Sequence, residues 1–143
     1  IVINKGRLMK YFLILLALSL SLFADSIEWN KDYKTAVEKA KKTDKLVFVF
    51  ITSKDCKFCK KLKETTLEDK NIVQKINKAY SSVIVMKDKD FFPSKLNAKA
   101  TPMLYFLDKN ENIIDYSLGY WDVADFNFIL KDVQKRYLKG MKK

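Results

Sequence analysis

The only two cysteines of the chain stand two residues apart, in Ser53-Lys54-Asp55-Cys56-Lys57-Phe58-Cys59-Lys60-Lys61. The apolar run Leu46-Val47-Phe48-Val49-Phe50-Ile51 leads into them, and a Lys-rich stretch of helical period follows. Strand, tight connection and helix therefore come in that order. The first sulfur sits at a helix N-terminus and the second one turn inside. The free N–H groups and dipole of a helix N-terminus favour a thiolate, which is the reactive form in thiol–disulfide exchange.

Several other chemistries are excluded. Histidine is absent, which removes His-based acid–base catalysis, Ser/His and Cys/His triads, and His-containing zinc sites. Two cysteines cannot supply the four thiolates of an all-cysteine zinc site. With 48% hydrophobic residues in 143, one domain can bury a core. Lysine and arginine outnumber the acids 28 to 17, a net charge of +11. Such a surface is open to acidic partners or anionic lipid, the alternative being a merely solvated Lys-rich surface. No basic patch interleaved with stacking aromatics stands out, so nucleic acid is not an expected partner.

Residues 1–24 read as an N-terminal extension and signal peptide. Met9-Lys10-Tyr11 opens a signal-like segment, with Met9 as the natural start and Lys5, Arg7 and Lys10 as its positive charges. Phe12 to Leu22 is an apolar run of about eleven residues, short of the roughly 20 that span a bilayer. Cleavage is expected after Ala24, although Leu22 is not the small residue preferred two places earlier. The alternative is a buried N-terminal helix. Export places the mature domain, 25–143, in an oxidising compartment such as the periplasm, where two cysteines can hold a disulfide. A bridge over so short a loop restricts the unfolded chain little, which favours a redox role over a structural staple.

Along the mature chain, Asn30 is expected to cap a helix to about Thr43, with Tyr33, Ala36, Val37 and Ala40 on one face. Leu46–Ile51 is apolar on both faces and reads as a central strand. From Lys57 a helix turns Phe58, Leu62, Thr65 or Thr66 and Leu67 inward. Asp69 or Asn71 starts another, with Ile72, Val73 and Ile76 buried. Val83–Met86 is a second buried strand, Met103–Leu107 a third, and Ile114, Tyr116 and Leu118 alternate in a fourth. The polar stretch between Lys87 and Ala100 is irregular, with a short helix near Ser94–Leu96. Asp122 caps the last helix, with Trp121 and Phe126 at the positions of a hydrophobic staple. Phe126, Ile129, Leu130, Val133 and Tyr137 form its buried stripe. Asp88, Asp90 and Asp108 read as turn and capping residues, and Phe48, Phe50, Tyr105, Phe106, Phe126 and Phe128 as core or sheet-face residues.

Cys56 is the expected nucleophile. Lys54, Lys57, Lys60 and Lys61 add positive charge around it and lower its pKa, while Asp55 opposes them. Cys59, deeper in the helix, is the expected resolving cysteine. Lys57 and Phe58, between the two, are the candidates for tuning the pair.

These features resemble the thioredoxin superfamily. The chain is similar in particular to the periplasmic thioredoxin-related proteins of the SoxW type and to the C-terminal domain of the thiol–disulfide interchange protein DsbD. The resemblance runs from about Trp29 to Tyr137. It rests on the strand–Cys56-Lys57-Phe58-Cys59–helix unit, on Thr101-Pro102 about 42 residues after Cys59, and on Gly119. It implies an α/β fold with a mixed central β-sheet of about four strands flanked by helices. It also implies a cis proline at Pro102 beside the disulfide, with the backbone of Thr101 binding extended substrate. Thr101 and Pro102 thus become substrate-binding candidates. The departures are Asp55 where thioredoxin has Trp, Phe50 where many members bury an Asp, and Lys57-Phe58 where thioredoxin has Gly-Pro.

The expected function is that of an exported thiol–disulfide oxidoreductase. It is expected to work as a disulfide reductase on protein thiol/disulfide substrates, recharged by a membrane electron donor. No cofactor beyond the Cys56–Cys59 couple, no metal and no partner subunit are expected. Threonine before the cis proline also occurs in the disulfide isomerase DsbC, so oxidase and isomerase roles stay open. Two other readings remain. One is a module that binds a soft ion such as Cu(I) through Cys56 and Cys59, with Met86 or Met103. The other is an adaptor whose disulfide never cycles.

Overall fold

The computed structural model describes residues 25–142; the signal-like segment 1–24 and its cleavage site lie outside them. The elements are β1 (Trp29–Asn30), α1 (Tyr33–Thr43), β2 (Leu46–Thr52), α2 (Lys57–Glu64), a 3-10 turn (Thr66–Glu68), α3 (Lys70–Ala79), β3 (Tyr80–Met86), β4 (Met103–Leu107), β5 (Ile113–Leu118) and α4 (Val123–Gly140). The strands form one mixed sheet in the order β1-β3-β2-β4-β5. β1, β3 and β2 run parallel, and β4 and β5 add antiparallel. Among the described residues no helix is long and apolar enough to cross a membrane.

The sheet has five strands rather than about four, and the extra one corrects the assignment of Asn30. Asn30 does not cap α1. Its side-chain amide donates to Ser81 Oγ at 3.0 Å and to the Ser82 carbonyl at 2.9 Å, holding β1 against β3. The cap is Asp32, whose carboxylate accepts from the Thr35 N–H at 2.7 Å. Asp69 and Asp122 cap α3 and α4 in the same way, accepting backbone N–H groups two or three residues on.

Central strand β2 is buried on both faces because its side chains alternate between two cores. Phe48 and Phe50 face Leu62 of α2, Ile72 and Ile76 of α3, and Phe126 and Val133 of α4. Val47, Val49 and Ile51 face Tyr33, Ala36, Val37 and Ala40 of α1. Beside α1, Leu96 and Ala98 of the long β3–β4 connection close that second core. The helix expected near Ser94–Leu96 is only a turn, closed from the Leu96 N–H to the Pro93 carbonyl at 2.9 Å. Leu96 is buried, and the Tyr105 hydroxyl donates to the Asn97 carbonyl at 2.7 Å. The segment is thus held by the buried Leu96 and Ala98 and by the Tyr105–Asn97 and Lys95–Glu111 hydrogen bonds rather than by a helical face. Asp90 and Asp108 accept local backbone N–H groups, as expected of turn residues.

Two other expectations are corrected. Tyr116 and Leu118 do not share a buried face with Ile114. Leu107 pairs with Ile113 and Phe106 with Asp115, so Ile114 is an extra residue in a bulge, which switches the side-chain alternation. Ile114 packs on the α4 side, whereas Tyr116 and Leu118 lie opposite Tyr105 and Met103 on the other face and are exposed. Phe128 is also exposed. It lies two residues, about 200°, around the helix from buried Phe126.

Candidate active site

The sharp end of β2 delivers the cysteines. Thr52 ends the strand, Asp55 turns the chain with a left-handed φ of 58°, and Cys56 becomes the N-cap of α2. Asp is among the few non-glycine residues that enter that region readily. Cys56 Sγ accepts a hydrogen bond from the Cys59 N–H at 3.2 Å, so the sulfur stands where the helix presents its unpaired donors. Cys56 and Cys59 form a disulfide, with Cα atoms 5.3 Å apart. Cys59 is buried and Cys56 is half-exposed, which leaves Cys56 the more accessible of the two.

The second part of the site comes from the start of β4. The Thr101-Pro102 peptide is cis and Pro102 is buried. The Thr101 and Ser53 hydroxyls lie 2.6 Å apart and share a hydrogen bond. Ser53 stands three residues before Cys56, so this bond fastens the proline loop to the cysteine loop. Sequence reasoning missed Ser53, because the contact joins residues 48 apart and no local pattern announces it. On its other side the Pro102 carbonyl accepts from the Gly119 N–H at 2.9 Å. Gly119 has a φ of +96°, which a side chain would strain.

The segment after Gly119 braces α2. Lys61 Nζ lies 4.2 Å above the Tyr120 ring, and the Tyr120 hydroxyl is 3.5 Å from that of Thr65. The Thr65 hydrogen bond, helped by Lys61, holds the Tyr120 hydroxyl below the ordinary tyrosine pKa. The Thr66 hydroxyl, fully buried, donates to the Trp121 carbonyl at 2.6 Å. Thr66→Val keeps the shape but leaves that carbonyl without its donor. It should cost about 1–2 kcal/mol, read as a lower midpoint in urea at an unchanged slope.

The structure separates the two residues between the cysteines from the core. Phe58 was expected to face inward, but it is 61% exposed. Cys59 and Leu62 are the buried residues of α2. Phe58 stands only about 40° of helix rotation from Leu62, but in the first turn of the helix it is left uncovered. Lys57 is exposed as well. Phe50, six residues before Cys56, is 1% exposed and places a ring where many thioredoxins bury a carboxylate. Among the described residues no cluster of three or more His, Cys, Asp or Glu is arranged to hold a metal.

A cavity of about 670 Å³ opens beside the disulfide. Both cysteines line it, together with Phe50, Ile84 and Met86 below and lysines of α2 above. Neither Thr101 nor Pro102 reaches it.

No protein of curated function matches the sequence. Several solved structures share the fold. The DsbH oxidoreductase superposes with a TM-score of 0.65 at 18% identity, covering 81% of this chain and 90% of that one. A thioredoxin from Thermus thermophilus gives 0.65 at 20% identity, covering 76% and 87%. The DsbD C-terminal domain of Neisseria meningitidis, in its oxidised form, gives 0.54 at 17% identity, covering 72% and 91%. At these identities the likeness speaks for the fold alone. The thioredoxin-like domain profile matches residues 33–134, from the first turn of α1 well into α4, and so includes both cysteines and the cis proline. On that match the chain belongs to the thioredoxin-like domain family.

Proposed function

We propose that this protein is an exported thiol–disulfide oxidoreductase that reduces disulfides in other exported proteins. The observation that carries the reading is the Cys56–Cys59 pair at the N-terminus of α2, fastened through Ser53 to the Thr101–Pro102 loop. Segment 1–24 directs export, residues 25–143 form the working domain, and the protein acts as a monomer.

In the reduced state Cys56 is the nucleophile. The helix N-terminus and the Cys59 N–H favour its thiolate. That thiolate attacks one sulfur of the substrate disulfide. A Cys56–substrate disulfide forms, the substrate S–S bond breaks, and the departing sulfur leaves as a thiolate that takes up a proton. Cys59 then loses its proton and attacks Cys56 Sγ, releasing the second substrate thiol. Two electrons and two protons pass to the substrate, and the protein is left with the Cys56–Cys59 disulfide. A dithiol on a membrane electron donor reverses these exchanges and restores the reduced pair. The Thr101 backbone holds the substrate strand in extended form during attack, and Lys57 and Phe58 tune the pair from outside.

The test is the equilibrium reduction potential of Cys56–Cys59, titrated against glutathione or dithiothreitol. A value near about −270 mV, like that of thioredoxin, is expected of a reductase. A value between about −120 and −180 mV would reverse the direction of flow and make the protein an oxidase or isomerase.

One observation favours a second reading. Met86 lines the same cavity as both cysteines, which gathers three soft sulfur donors near one opening. Stoichiometric Cu(I) retention by the reduced protein against a chelator, lost in Cys59→Ser and weakened in Met86→Leu, would support a copper-binding role.

A further inference from the structure

The strand order sets the disulfide between two different surfaces. β2 carries the cysteine loop and has β4 on one side and β3 on the other. The cis-proline loop precedes β4. The cavity beside the disulfide lies on the β3 side, where Ile84 and Met86 form its floor with Phe50. β1 pairs only with Ser82 and Val83, so it stops short of Ile84 and Met86 and leaves them half-exposed. The wall opposite carries Lys57, Lys60 and Lys63 of α2.

The charges of this wall are incompletely matched. Asp55 and Glu64 also line the cavity, and Lys60 pairs with Glu64 at 3.9 Å. Neither Lys57 nor Lys63 has an ion-pair partner among the described residues. An apolar floor under unpaired ammonium groups complements a ligand that is apolar on one side and anionic on the other. The volume of about 670 Å³ falls within the range of about 300–1,000 Å³ usual for a bound small molecule. It equally accommodates a few side chains of a peptide.

We infer that this cavity is a second substrate subsite, which takes an acidic, partly apolar segment of the protein substrate flanking its disulfide. The inference rests on the oxidoreductase reading and adds a substrate class to it. The cis-proline loop holds substrate backbone on the β4 side and carries no sequence preference of its own. The lysine-rimmed cavity on the β3 side supplies the preference, by attracting carboxylates toward Lys63 while apolar neighbours cover Met86 and Ile84.

The experiment uses the pre-reduced protein in single turnover, so that no electron donor is needed. Three peptide disulfides are compared, alike except that Glu, Gln or Lys flanks the cysteine. The readout is the ratio of second-order rate constants for the Glu and Gln peptides, which cancels any change in the reactivity of Cys56 itself. The wild type should favour Glu by about tenfold, the preference shrinking as salt rises. Lys63→Glu should bring the ratio to one or below, and Met86→Trp, which fills the floor, should lower it several-fold. Lys139→Glu makes the same change of net charge on α4, remote from the cavity wall, and should leave the ratio within about twofold. A wild-type ratio near one, or an equal fall in Lys139→Glu, overturns the subsite. So does a preference for glutathione disulfide over hydroxyethyl disulfide with none among the peptides, which would assign the cavity to a small anionic disulfide. Failure of the wild type to reduce any of these disulfides overturns the oxidoreductase reading itself, and the subsite with it.

Discussion

If the protein works as proposed, Cys56→Ser should lower turnover of a disulfide substrate by on the order of 10³-fold or more, whereas Cys59→Ser should stop the reaction half-way. The difference follows from position. Cys56 is the half-exposed sulfur at the start of α2 and Cys59 is buried one turn inside. Without Cys56 no thiolate meets the substrate, since serine stays protonated near neutral pH. Without Cys59 the first attack should still occur, with nothing to resolve the mixed disulfide. The Cys59→Ser protein should therefore accumulate a one-to-one adduct with its substrate, visible by mass and released by dithiothreitol. Both variants should keep a cooperative thermal transition, because the bridge closes a loop of sequence separation 3 and restrains little chain entropy. Full turnover by folded Cys56→Ser protein would falsify the assignment.

The parts of this fold that a reader of the sequence recovers are those with a strong local signal. β2 and β4 follow from uninterrupted apolar runs, because a strand buried on both faces needs apolar residues at every position. Asp122 is legible as a cap, and Asp69 as one of two candidates with Asn71, since a carboxylate before an apolar-periodic run has a specific partner in the next turn. β1 is not legible. Two residues carry no period, and Trp29–Asn30 is a strand only because β3 lies beside it. The start of β3 is masked for a related reason. Ser81 and Ser82 are polar yet buried, and Ser81 accepts the Asn30 amide from 51 residues away.

The site divides along the same line. The cysteines and Thr101-Pro102 are recognisable from spacing and from resemblance to a family. The Ser53–Thr101 bond and the cavity are tertiary facts, made by residues that the fold alone brings together. Phe58 shows the limit of helical periodicity. It stands on the stripe of buried Leu62, four residues on, yet in the first turn of an eight-residue helix nothing covers it.

Phe48→Ala should destabilise the protein by about 3–5 kcal/mol, the usual cost of removing a fully buried aromatic side chain. The ring is 0% exposed at the centre of β2. It stacks on Phe106 at 5.3 Å between centroids and meets Phe126 edge-on at 6.1 Å and Tyr80 at 6.3 Å. Trp29 of β1 lies 6.0 Å away on another side. Removing Phe48 thus leaves a void where β2, β4, β1 and α4 converge, and the rigid neighbours cannot all close on it. Against a total stability of roughly 5–15 kcal/mol, the loss should appear as a fall in melting temperature of roughly 10–20 °C. Phe58→Ala is the matched comparison. It removes the same ring from an exposed position of α2 and should shift stability by no more than about 0.5 kcal/mol. A larger loss from Phe58 than from Phe48 would place the packing aromatic on the wrong element and leave β2 without its anchor. The contrast also bears on function, because Phe48 and the cysteines share one continuous stretch of chain. β2 holds the cysteine loop in place only as firmly as the ring cluster at its centre holds β2.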